Sequence, residues 1–173
     1  MKMVALFLGL VLASTASAEK LKARPALPRV LDGISLKTTY EVFVLSPMGD
    51  DYSEGYACSY NLEEGDKCLS KKTEDYFIMV YFRGNTLLRI QRLYGDSVRW
   101  ETFIAPTIKK YGPPGGRELI RSTEYLLWED GRTHLEIHND RSDYPNSQYS
   151  IVLSDVKVNK KQEAKEAAKA PEL

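Results

Sequence analysis

Two tryptophans and one glutamate are placed to do chemistry in this sequence. On a strand, Glu124 shares its face with Ile120, Ser122, Leu126 and Trp128, which sets a carboxylate among largely apolar side chains. Such a group either faces solvent or sits in a cavity where a cation or hydrogen bonds offset its lost hydration. Trp100 lies in a comparable alternation with Val98, Thr102 and Ile104. A carboxylate beside aromatic surface would hold an amine by charge and by cation–π contact. Trp100, Trp128 and Glu124 are therefore the expected ligand-binding residues. The plainer alternative leaves Trp128 in the core and Glu124 at a rim.

The second cluster is His134-Leu-Glu136-Ile-His138. On a strand its three polar side chains share one face, and the two histidines stand roughly 13 Å apart, too far to share one ion. The cluster reads as a solvated face opposite Leu135 and Ile137. A serine or cysteine nucleophile needs a base and an orienting acid. Only these two histidines are available, and no Gly-x-Ser-x-Gly, HExxH or phosphate-cradling glycine loop occurs. In Gly112-Pro-Pro-Gly-Gly116 two prolines remove backbone donors. The chain is read as a non-enzyme with no cofactor and no metal. A carboxylate pair for hydrolysis depends on spatial separation and remains the third reading.

Chemistry of this kind needs a compartment. Met1-Lys2, an apolar run over residues 3–12 and the small residues Ala16-x-Ala18 form the pattern of an export signal. The run is too short to span a bilayer, and no later stretch is longer and as apolar. Two cysteines in an exported chain predict one disulfide, Cys58–Cys68, closing a short polar loop. The expected organisation is a signal peptide at 1–18, a basic arm at 19–33, a β domain at 34–158 and a charged Ala/Lys/Glu tail at 159–173.

The elements that must position these residues read as strands. Residues 35–45, 52–61, 75–82, 86–94, 97–104, 117–128, 133–138 and 148–158 carry β-branched and aromatic residues between turn signals. Arg83-Gly84-Asn85 and Asp130-Gly131 are the clearest turns, and residues 105–116 read as the longest irregular stretch. Hairpin-length links favour a meander, and a meander of eight or nine strands loses its edges by closing. The expected fold is all-β: an antiparallel up-and-down barrel, with a β-sandwich as the alternative and a flexible or helical C-terminal tail.

The chain has 173 residues, 24 basic against 24 acidic side chains. That balance is unlike a basic nucleic-acid binder, and the length suits one domain. Residues 30–158 hold 15 basic and 20 acidic groups, a bias that favours cationic ligands and also serves solubility.

One local segment adds a family likeness. Arg141-Ser142-Asp143-Tyr144-Pro145-Asn146-Ser147-Gln148-Tyr149 is similar to the Thr-Asp-Tyr-x-x-Tyr loop of lipocalins, with the second tyrosine two residues further along. With the export signal, the size and the strand pattern, the chain resembles the lipocalin (calycin) group, nearest in style to arthropod salivary lipocalins, including tick amine-binding ones. It departs from them where Leu31-Asp-Gly-Ile-Ser35 replaces the family's Gly-x-Trp. The resemblance implies a secreted barrel that sequesters a small hydrophobic or amine-bearing ligand. A protein-interaction module or inhibitor acting through loops is the alternative.

Overall fold

The computed structural model describes residues 25–54, 58, 65–95, 99–142 and 148–168. The expected signal peptide and the Tyr144 end of the lipocalin-like loop lie outside them. Among these residues the protein is mostly β, with an antiparallel seven-stranded sheet, a two-stranded sheet and three α-helices.

The two-stranded sheet is the hairpin β1 (Val30–Leu31) and β2 (Ile34–Ser35). Its Asp32 and Gly33 both take positive φ, 53° and 79°, the geometry of a tight two-residue hairpin turn. The segment 35–45 was expected to be a strand, yet it turns into helix α1 (Tyr40–Val44). Thr39 caps it, its hydroxyl accepting from the Val42 amide at 3.3 Å. The reason is spacing: Tyr40, Phe43 and Val44 fall on one helical face. There Tyr40 and Phe43 reach the Phe82 ring at 5.4 and 5.7 Å.

A 3-10 turn (Gly49–Asp51) precedes the large sheet. This comprises β3 (Asp66–Lys72), β4 (Tyr76–Arg83), β5 (Thr86–Tyr94), β6 (Gly116–Ile120), β7 (Thr123–Glu129), β8 (Thr133–Asp140) and β9 (Gln148–Asp155). Their order is β3-β4-β5-β9-β8-β7-β6. Between β5 and β6 runs helix α2 (Trp100–Tyr111), where a strand over 97–104 and an irregular stretch were expected. Trp100, Phe103, Ile104, Ile108 and Tyr111 repeat at helical spacing and pack on the core, which a strand could not arrange. Glu101 in the first turn and Lys109 and Lys110 in the last suit the helix dipole.

That crossover changes the architecture. Instead of continuing as a meander, the chain passes along α2 to the far edge of the sheet and returns strand by strand until β9 pairs with β5. Among the described residues β3 and β6 are the edges, and no pairing joins them into a barrel. The expected strand 117–128 is a hairpin, broken at Arg121, which sits at φ 55°. Strand β3 lies between the expected strands 52–61 and 75–82, where no strand was expected. The expected tail is helix α3 (Val156–Ala167), which follows β9 directly.

One face of the sheet carries the core. Ile78, Val80 and Phe82 of β4, Ile90 of β5, Leu153 of β9 and Leu135 and Ile137 of β8 pack beneath α1, α2 and the N-terminal segment. Arg92 also lies on this face, where it pairs with Asp32 and faces the Tyr76 ring. The hydrogen bonds to Asp32 raise the Arg92 pKa, so the guanidinium stays charged beside the β1–β2 turn. The same carboxylate acts on Tyr52: burial first, then the Asp32 charge, pushes its hydroxyl up to about 12.

Candidate functional site

The opposite face of the sheet is only partly covered. Pairing register defines its rows of side chains. Tyr81, Arg89, Ser154, His134 and Glu129 form one row across β4-β5-β9-β8-β7. The next is Met79, Gln91, Val152, Glu136 and Leu127; the third is Phe77, Leu93, Ser150, His138 and Tyr125. Gln148, Asp140 and Thr123 close the set. The middle of this face is recessed. It holds a half-open groove of about 340 Å³, lined by residues of all four rows.

The centre of this face is a charge cluster. Glu136 Oε2 lies 2.7 Å from His138 Nε2, and Glu136 Oε1 lies 3.7 Å from His134 Nε2. Burial pushes the Glu136 pKa up, but the His138 hydrogen bond and the charges of His138, His134 and Arg89 outweigh it, leaving the carboxyl below its ordinary range. The His134 Nε2 atom is buried with no hydrogen-bond partner in the structure. Arg89 stacks on Tyr81, its guanidinium carbon 4.1 Å from the ring centroid. At the other end the His138 ring meets Tyr125 at 4.5 Å. The sequence put His134, Glu136 and His138 on one face correctly; all three side chains are partly buried there, and of them His138 lines the groove. Among the described residues no group of three or more His, Cys, Asp or Glu is arranged to hold a metal ion.

Asp140 is the carboxylate among the described residues of the groove wall. Burial pushes its pKa up, but bonds from the Ser142 amide and from the Ser142, Thr123 and Ser122 side chains bring it below the ordinary carboxylate value. Six residues along β8 separate it from the row of Arg89, roughly 20 Å of strand. The groove is thus polarised, with a guanidinium towards one end and a carboxylate towards the other.

The expected site residues lie elsewhere. Glu124, Leu126 and Trp128 do share a face and are buried, yet that face is the core side. Glu124 already holds two guanidinium groups, Arg117 at 2.5 Å and Arg141 at 3.4 Å, so the charge meant for an amine is met within the chain. Trp128 is packed in the core, its indole N–H donating to the Gly112 carbonyl at 3.0 Å. A recess of about 190 Å³ beside it is lined by Leu27, Tyr111 and Gly115 but by neither Glu124 nor Trp100. Trp100 stacks on Tyr149 at the start of α2, 5.5 Å between centroids. The structure therefore does not gather the three around one cavity. Cys58 and Cys68 are bonded as expected, and the bond joins β3 to the chain before it on the groove side.

Arg89, Gln91, Tyr125, Asp140, Gln148 and Ser150 were missed. Each strand carries a polar alternation, but only the β5–β9 pairing, between segments far apart in the chain, shows that the alternations meet. Among the described residues no helix is long and apolar enough to cross a membrane. Compared with protein-family models, with curated proteins and with solved structures, this chain has no match.

Proposed function

We propose that the protein is a secreted binding protein that holds a small amine-bearing ligand in the groove of the partly covered sheet face. The observation that carries this reading is the groove itself: a 340 Å³ concavity with Asp140 held ionised at one end beside aromatic Tyr125. An ammonium group would dock against that carboxylate, with ring contact from Tyr125. Met79 and Leu93 give apolar surface for the ligand body, and Gln91, Gln148 and Ser150 supply hydrogen-bonding groups. Arg89 repels a cation at the opposite end, which fixes the orientation. Support for export comes from the N-terminal sequence pattern and from the Cys58–Cys68 bond, which persists best in an oxidising compartment.

Calorimetry with tyramine and with tyrosol, its hydroxyl counterpart, tests this. Tyramine should bind and tyrosol should bind at least tenfold more weakly. Asp140→Asn should weaken tyramine about tenfold, about 1.4 kcal/mol, and leave tyrosol unchanged. Equal binding of the two probes, or an unchanged tyramine affinity in Asp140→Asn, overturns the reading.

A further inference from the structure

A second groove lies outside the concave face, between α3 and the turn end of β4 and β5. Its volume is about 240 Å³, half-open, and its lining includes Lys157, Lys161, Lys165 and Arg83 over the apolar Leu88 and Val158. Among the described residues no acidic side chain lines it. The three lysines are exposed and spaced four apart, so α3 presents them as one row along the groove. Like charges at that spacing repel and weaken a helix. Arg83 is engaged by Asp66 on β3, with contacts of 2.6 and 2.9 Å, which pins its guanidinium at the groove edge. The row is therefore a concentrated positive field beside a strip of apolar surface, and among the described residues of the wall no carboxylate neutralises the lysines.

We infer that this groove binds a single-chain anionic amphiphile, a carboxylate or phosphate headgroup on an alkyl stem. The lysine row takes the headgroup and offsets its own repulsion; Leu88 and Val158 take the first methylenes. The size suits a headgroup and short stem, not a drug-sized ligand. Charge complementarity selects an anion, and the apolar floor selects an amphiphile over a bare ion. This site is independent of the amine groove and stands or falls without it.

The test is calorimetry on the full chain with octanoate and octyl phosphate, set against octanol and inorganic phosphate. Both amphiphiles should bind, with octanol and inorganic phosphate at least tenfold weaker. The double variant Lys157→Gln/Lys161→Gln should lose tenfold or more towards octanoate while keeping its tyramine affinity. Because these lysines are exposed, the variant keeps its fold, verified by circular dichroism. Octanoate should also increase the helical signal at 222 nm in the parent and not in the variant. Octanol binding as well as octanoate, inorganic phosphate binding as well as octyl phosphate, no binding by either amphiphile, or unchanged octanoate affinity in the double variant each overturns the inference.

Discussion

The two faces of the seven-stranded sheet are made from the same strands and do opposite things. On the covered face Val80, Phe82, Ile90, Ile137 and Leu153 are fully buried beneath helices and the N-terminal segment. On the other face the apolar cluster is small, Met79 and Tyr81 with the disulfide and the partly buried Leu88 and Leu93, and Arg89, Gln91, His134, Glu136, His138 and Asp140 share the face with it. One face stabilises by removing apolar area from water; the other keeps charges at the wall of a groove and balances them against one another. A strand that alternates between these roles has no spare position, so stability and binding are set by neighbouring residues two faces apart.

Two phenylalanines on one strand give the sharpest measure of that difference. Phe82 faces the core between the rings of Tyr40 and Phe43 and is 0% exposed, whereas Phe77 faces the groove side and is 36% exposed. Phe82→Ala should cost about 3–5 kcal/mol, and Phe77→Ala about 1 kcal/mol or less. Urea unfolding of both variants checks this; comparable losses would mean that the second face is as tightly packed as the first.

What the sequence showed and what it hid follow from how local each signal is. Strand β5 matches its expected span of residues 86–94, and the turns at Gly84-Asn85 and Asp130-Gly131 lie where glycine at positive φ was needed. The α2 stripe was also present, with Trp100, Phe103, Ile104, Ile108 and Tyr111 at helical spacing, but the alternation of Val98, Trp100, Thr102 and Ile104 concealed it over its first turn. Pro106 inside the helix added to that reading, since proline usually ends one. At the same place the meander gives way: among the described residues no strand pairing closes the sheet into the expected barrel. Once residues 100–111 are a helix, the chain can cross the sheet, and the strand order ceases to follow sequence order. The groove then joins residues from five strands whose adjacency no local pattern records. Glu124 was correctly seen as a carboxylate among apolar neighbours; its partners Arg117 and Arg141 lie seven and seventeen residues away and only the folded edge brings them in.

The disulfide tests whether covalent cross-linking replaces a cover on the groove side. Cys58 and Cys68 are both buried and cluster with Met79 and Tyr81, where few apolar groups are available. Cys58→Ser/Cys68→Ser should lower stability by roughly 3 kcal/mol from loop closure alone. The comparison becomes sharper if amine affinity falls with it, because Tyr81 carries the Arg89 stack. A variant with the parent's melting temperature would show that the cross-link adds nothing to this edge.

The smallest effect is the most specific to the charge cluster on the partly covered face. Glu136 is three-quarters enclosed, with 24% of its side chain exposed, and its pKa is lowered in the folded protein. A depressed carboxyl contributes stability that is fully present above its unfolded pKa, near 4.5, and is lost as pH falls through the lower folded value. Glu136→Gln keeps an acceptor for His138 but discards the charge, so it should cost about 1 kcal/mol at pH 7. Acid urea titrations of the parent and the variant should then converge as pH falls through the lowered folded value, where the parent's carboxyl takes up its proton. A deficit that persists undiminished at low pH would assign the loss to packing and not to the charge cluster. The groove face would then be stabilised in the same way as the core face, and the contrast between the two would dissolve.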